Sequence, residues 1–167
     1  METIRTRKVN RLPYYDYSQN GYYFVTVCSF NKQHIFGEII KCDKESVGAA
    51  LCRPHMHLFE IGKIVSEEIE RFSEPYEGTE VIKYVIMPNH IHMVIAINDG
   101  ASGRQGAAPT LAAMVGQFKR VVSMRIGISI WQKGFYDHII RSQTNFEKIW
   151  EYIDFNIDNW HKDEYNK

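Results

Sequence analysis

Apolar residues recur along the chain with two periods, and the switches between them mark the elements. Tyr22 to Phe30 (YYFVTVCSF) is dense in aromatic and β-branched residues and is bounded by Gly21 and Asn31, which predicts a strand. From Asn31 to Pro54 no clean period emerges; the stretch reads as a loop with room for a short strand near Ile35 to Ile40. Between His57 and Phe72 the apolar residues Leu58, Ile61, Val65, Ile69 and Phe72 return every three or four positions with Glu67, Glu68 and Glu70 between them. That spacing predicts an amphipathic helix. Glu80 to Met87 and His90 to Ile97 are apolar runs separated only by Pro88 and Asn89, hence two antiparallel strands joined by a tight turn. Asp99 to Pro109 (DGASGRQGAAP) has the composition of a linker. Thr110 then reads as the N-cap of a helix running through Leu111, Met114, Val115, Phe118, Val121 and Val122 to about Arg125. Phe135 to Arg141 predicts another strand. Thr144 and Glu147 fit a capping box, opening a helix striped by Phe146, Ile149, Trp150, Ile153, Ile157 and Trp160.

The order strand, helix, strand, strand, helix, strand, helix implies an α+β fold. The expected architecture is a ferredoxin-like antiparallel sheet with two helices on one face, the last helix being extra and free to cover the other face. A length of 167 residues with 44% hydrophobic residues suits one domain over the whole chain. Residues 1–20 read as an arm, carrying Arg5, Arg7, Lys8 and Arg11 and the tyrosines Tyr14, Tyr15 and Tyr17.

Charge narrows the field. Lys+Arg 20 balances Asp+Glu 20, so a nucleic-acid site would have to be a local patch and not a global field. The cysteines Cys28, Cys42 and Cys52 form no CxxC pair and cannot all pair internally, which argues against a disulfide scaffold and for a reducing, cytoplasmic setting. No window approaches the roughly 18 apolar residues of a membrane span.

The polar residues inside the apolar strands are the candidates for chemistry. In YVIMPNHIHMVIAI, strand alternation turns His90 and His92 to one face and Ile91, Met93, Ile95 and Ile97 to the other. Two imidazoles at that spacing can converge on one divalent ion; from spacing alone they are equally an ordinary couple following a turn. In the last helix Tyr152 and Asn156 are four apart and border the apolar stripe, so both can look at the sheet. A phenol is a possible nucleophile and an amide oxygen a hard metal ligand, although each taken alone is also a common surface residue.

Taken together, MPNH, the HIH pair in an apolar strand, FKR in a helix, IWQKGFYDHIIR and EYIDFN in the final helix resemble the Y1 tyrosine transposases of the IS200-like, REP-associated class, members of the HUH enzymes. The resemblance runs from about Tyr22 to Trp160. It implies His90 and His92 as ligands of a divalent metal ion (Mg²⁺ or Mn²⁺), Asn156 as a further metal ligand and Tyr152 as the catalytic nucleophile. The implied activity is cleavage and rejoining of single-stranded DNA at hairpin-associated sites through a 5′-phosphotyrosine, in a transposase that acts as a monomer or as a homodimer with exchanged tyrosine helices. The chain lacks the proline that many relatives carry after the tyrosine helix, which leaves the end of that helix open. Tyr136, two residues before His138 on the FYDH strand, is a competing nucleophile.

DNA contacts are expected from Arg5, Arg7, Lys8, Arg11, Lys119, Arg120, Lys133 and Arg141, with the arm's tyrosines stacking on unpaired bases. A second His-x-His, His55 and His57, lies near Cys42 and Cys52. Pro54 and the oncoming helix make it a loop, and the cysteine spacing matches no common zinc module, so it is read as a decoy. Two other classes compete with the enzyme: an inactive, domesticated nucleic-acid-binding protein of the same fold, and a metal hydrolase unrelated to DNA.

Overall fold

The computed structural model describes Asp16 and residues 18–41, 53–98 and 109–166. The arm residues Arg5, Arg7, Lys8, Arg11, Tyr14, Tyr15 and Tyr17, the cysteines Cys42 and Cys52, and all of the linker-like stretch except Pro109 lie outside them.

Four strands form one antiparallel sheet: β1 (Gly21–Cys28), β4 (Thr79–Ile86), β5 (His90–Ile97) and β6 (Tyr136–Ile140), in the spatial order β4-β5-β1-β6. A separate hairpin pairs β2 (Gly37–Ile40) with β3 (His55–Leu58). The helices are α1 (Glu60–Glu70), α2 (Leu111–Ile126) and α3 (Gln143–Asp154). The four-strand order, with α1 between β1 and β4 and α2 between β5 and β6, is the ferredoxin-like arrangement expected from the element order.

Alternation divides the sheet into two apolar faces. Tyr23, Val25 and Val27 of β1 and Ile91, Met93, Ile95 and Ile97 of β5 join Val65 and Ile69 of α1 and Leu111, Met114, Val115, Phe118 and Val122 of α2 in the main core. The opposite face offers Phe24, Val94 and Ile140, which α3 covers with Ile153 and with the flanking Phe146 and Ile149. Arg125, in the last turn of α2, ties the helix layer together by donating to Glu67 at 2.6 Å and Glu68 at 2.7 Å on α1. At Gly62 a Cβ would stand 1.9 Å from the carbonyl oxygen of Phe36, so α1 can rest on the chain entering β2 only with glycine there.

Three helix boundaries depart from expectation, and the first strand stops at Cys28, short of Phe30. The helix predicted from His57 begins at Glu60, because His55 to Leu58 pair with β2 in register from Gly37↔Leu58 to Ile40↔His55. Leu58 continues the helical stripe in sequence, but the available hydrogen-bonding edge of β2 claims it. The last helix is capped by Ser142, whose Oγ accepts from Asn145 N at 3.2 Å, and Thr144 lies inside the first turn. The same helix ends at Asp154, so Ile157 and Trp160 leave the stripe, and Trp160 opens a 3₁₀ turn (Trp160–Lys162). By contrast Thr110 caps α2 as the sequence implies, accepting from Ala113 N at 3.3 Å, and Gly127 closes it at φ 85°. No helix among the described residues is long and apolar enough to cross a membrane.

Candidate metal centre and nucleophile

The turn at Pro88 and Asn89 is closed by a bond from Met87 N to His90 O of 2.8 Å, so β5 starts on a histidine. Alternation then sends His90 and His92 to the α3 face, and they are 0% and 1% exposed. Their Nε2 atoms approach to 2.9 Å. Behind them, His90 Nδ1 lies 2.9 Å from Asn89 Oδ1, and His92 Nδ1 lies 2.8 Å from Oγ1 of Thr26, its cross-strand partner on β1.

The α3 helix crosses this face and brings Tyr152 with it. The Tyr152 hydroxyl is 3.1 Å from His92 Nε2, and the two rings meet edge to face at 5.2 Å. Tyr152 also packs edge-on against Phe24, at 6.1 Å, while remaining 43% exposed. One side of the phenol therefore faces the imidazoles and the other faces solvent.

The chain past α3 folds back to complete the cluster. Asn156 is 2% exposed and points its Nδ2 at Asp163 Oδ2, 3.5 Å away. Asp163 Oδ2 lies 3.9 Å from His90 Nε2, and ligand atoms of His90, His92 and Asp163 all fall within 4.8 Å of one another, the one such group among the described residues. The turn is anchored by Asn89 Nδ2, which donates to the Tyr165 carbonyl at 2.8 Å and the Lys32 carbonyl at 3.2 Å. The Tyr165 ring lies 4.5 Å from the His90 ring, and Trp160 flanks it at 6.0 Å.

The electrostatics follow from this enclosure. Burial pushes His90 down to about 2, aided by the adjacent His92 and Lys32, and burial takes His92 down to about 3, so both imidazoles are neutral at physiological pH. Burial raises the carboxyl of Asp163 above its ordinary range. Burial also raises the phenol of Tyr152, the charge of Asp163 adding to it and a hydrogen bond from Asn156 opposing it.

The donor set fits a divalent cation. Because the Asn89 amide is oriented by its two Nδ2 bonds, Oδ1 can only accept, which places the proton of His90 on Nδ1 and leaves its Nε2 as a bare lone pair. The nitrogen 2.9 Å away is His92 Nε2; if His92 also donates its Nδ1–H to Thr26, two lone pairs face one another. Such a contact is favourable only with a proton or a cation between the nitrogens. Asn156 Oδ1 is buried without a hydrogen-bond partner, an unpaired hard oxygen beside the same cluster. Two neutral imidazoles, a carboxylate and an amide oxygen suit Mn²⁺ or Mg²⁺.

The remaining sequence candidates are dispersed. Tyr136 lies on β6, at the sheet edge, and Tyr152, not Tyr136, is the tyrosine at His92. Lys119 and Arg120 lie on α2, across the sheet from the histidines; Lys119 Nζ donates to the carbonyls of Gln132 and Gly134 at 2.7 and 2.8 Å, and Arg120 is bonded to Gln117. Lys133 and Arg141 are exposed on either side of β6. His55 and His57 are exposed on the β2–β3 hairpin, opposite Ile40 and Glu38. A cleft of ≈ 540 Å³ that includes Arg71, Phe72, Tyr76 and Phe118 also lies on the helix-layer side.

Asp163, Thr26 and Asn89 escaped the sequence reading. Thr26 had a signal, as a polar residue at an inward position of an apolar strand. Asn89 had another, inside MPNH. Asp163 had none, because only the reversal of the chain after α3 carries it to the histidines.

No family model matches the sequence. The chain is 29% identical over 180 residues to an uncharacterized protein of Haemophilus influenzae, covering 96% of this chain and 93% of that protein. A solved structure of a REP-associated tyrosine transposase bound to a REP hairpin aligns over 87% of this chain and 70% of its own, with a TM-score of 0.59 and 17% identity. The chain therefore has the fold of that transposase.

Proposed function

We propose that this protein is a metal-dependent transposase that cleaves and rejoins single-stranded DNA at hairpin-associated sites, with Tyr152 as nucleophile. The observation that carries the reading is the Tyr152 hydroxyl 3.1 Å from His92 Nε2, where His90 Nε2 also converges. The likeness to a transposase bound to a REP hairpin supports the choice of DNA as substrate.

His90, His92 and Asn156, joined by Asp163, would hold the ion. When bound, a divalent cation supplies positive charge against the non-bridging oxygens of a phosphodiester. Tyr152 Oη attacks phosphorus in line with the departing 3′ oxygen, so one P–O bond forms as another breaks, leaving a 5′-phosphotyrosine and a free 3′-hydroxyl. The Asn156 hydrogen bond favours the phenolate against the opposing effect of burial. The solvent-facing side of the ring gives the phenolic proton a way out. Because the ester bond is conserved on the protein, a second 3′-hydroxyl can reverse the step at a new junction without a nucleoside triphosphate, and the sequence has no GxxxxGK[ST] loop. Arg5, Arg7, Lys8, Arg11, Lys119, Arg120, Lys133 and Arg141 remain the proposed phosphate contacts, with Lys133 and Arg141 nearest in sequence to a strand of the catalytic sheet.

The test is incubation with hairpin-bearing single-stranded oligonucleotides and Mn²⁺ or Mg²⁺, followed by denaturing electrophoresis. A covalent protein–DNA adduct is expected from the wild type and from Tyr136→Phe, and none from Tyr152→Phe. An adduct that persists in Tyr152→Phe and vanishes in Tyr136→Phe moves the nucleophile to β6. Specific hairpin binding without any adduct favours the inactive binding protein.

A further inference from the structure

Cross-strand register puts Val85, His92, Thr26 and Tyr136 in one row across β4, β5, β1 and β6, and directly paired residues share a face. Tyr136 therefore lies on the same face as the histidines, two strand spacings from His92, or about 10 Å. The middle of this face is occupied. Phe24, Val94 and Ile140 are under α3, and His90 is under Tyr165 and Trp160. The side toward β6 is open, with Tyr152 43% exposed and Tyr136 42% exposed.

Along β6 the exposed residues are Tyr136 and His138, with Lys133 before the strand and Arg141 after it. His138 is the cross-strand partner of Phe24, and its Nε2 lies 2.8 Å from Asn145 Nδ2 at the start of α3, which holds the imidazole in place. Among the described residues β6 is also the last strand of its sheet, with β1 as its one neighbour in the order. An exposed aromatic ring on a strand flanked by two cations is what an unpaired polynucleotide strand requires: cations for its phosphates and a flat apolar surface for its bases.

We propose that the β6 edge is a track for the unpaired strand that runs to Tyr152, with Tyr136 as the platform on which one nucleobase stacks and Lys133 and Arg141 as phosphate contacts. Tyr136 thus has a binding role in place of the nucleophilic one its sequence context suggested. The proposal rests on the reading of Tyr152 as the nucleophile, because that residue gives the track its destination.

Binding is measured in the Tyr152→Phe background, so that no cleavage is needed, using a labelled oligothymidylate and an abasic strand of equal length. Tyr136→Ala is expected to weaken oligothymidylate binding by about tenfold or more, the range for loss of one base–aromatic stack, while leaving the abasic strand unaffected. Tyr136→Phe, which keeps the ring, should stay within about twofold of the parent. Lys133→Ala and Arg141→Ala should each weaken both strands and lower the salt dependence by about one phosphate contact. Equal effects of Tyr136→Ala on the two strands, or none on either, overturn the platform. The two readings fail separately: a missing covalent adduct with a retained base-dependent effect of Tyr136 rejects the transposase chemistry and keeps Tyr136 as a base platform, and an adduct with no Tyr136 effect does the reverse.

Discussion

Replacing Thr26 by Val is the sharpest perturbation of the metal centre, because it removes one hydroxyl and leaves the branched shape that a central strand favours. Thr26 is 2% exposed and its Oγ1 is 2.8 Å from His92 Nδ1, so no water can take its place. The hydroxyl can donate or accept. As a donor it serves the His92 tautomer that carries its proton on Nε2, facing the Nε2 of His90; as an acceptor it serves the tautomer with a bare Nε2, the form that binds metal. Val serves neither. The metal-free protein can keep the bond between the two Nε2 atoms, whereas the metal-bound form must bury an unpaired Nδ1–H, at a cost of about 1–3 kcal/mol. The expected outcome is a 10- to 100-fold weaker affinity for Mn²⁺, or about 1.4–2.8 kcal/mol, with a smaller loss of stability in chelator. Calorimetric titration with Mn²⁺ measures the first and urea unfolding in chelator the second. Thr26→Ser, which restores the oxygen, should recover most of the affinity. Mn²⁺ binding by Thr26→Val within about twofold of wild type, or Thr26→Ser as weak as Thr26→Val, would refute the reasoning.

Two further outcomes follow from the same cluster. Asp163 has a side chain that is 3% exposed and a carboxyl raised by burial, so Asp163→Asn should leave the chelated protein as stable as wild type or more so, while cutting the Mn²⁺-induced gain in stability by about 1.4 kcal/mol for each tenfold loss of affinity; thermal unfolding with and without Mn²⁺ checks it, and an undiminished gain removes Asp163 from the site. The buried imidazoles also set an acid limit: their folded values, about 2 and about 3, lie below the 6.5 of an exposed histidine, so the unfolded chain binds more protons. Their contribution to stability is present above about pH 6.5 and is lost as pH falls toward those values, by up to about 1.4 kcal/mol per pH unit for each ring, which urea midpoints across that range in chelator will show; midpoints that stay flat in wild type, or fall equally in His90→Gln/His92→Gln, contradict it.

Much of this molecule is visible in local pattern. The period-two run from His90 to Ile97 placed both imidazoles on one face before any fold was known, because alternation is a property of the extended backbone and needs no partner. The antiparallel pairing of β4 with β5 was equally legible, since Pro88 and Asn89 leave room only for a tight turn. Tyr152 could be placed on the rim of an apolar stripe because a helix repeats every 3.6 residues, whereas Asn156, expected on the same helix, reaches the site from the turn past Asp154. The errors fell where two local preferences compete. Leu58 fits a helical stripe and a β-hairpin alike; Ser142 and Thr144 can each cap a helix. In both cases the neighbouring chain, not the residue, made the choice.

What pattern could not supply is the company each residue keeps. That His90 and His92 belong together is written in their spacing, whereas the proximity of Tyr152, Asp163, Thr26 and Asn89 to them depends on a helix crossing the sheet, a chain reversal after Asp154 and the register between β1 and β5. Periodicity arises from bonded geometry within a few residues, so sequence carries it directly. The meeting of residues 26, 92, 152 and 163 arises from the pairing of β1 with β5, the burial of Phe24, Val94 and Ile140 beneath α3 and the reversal after it, all long-range events, and the chemistry of the site exists only once they have occurred.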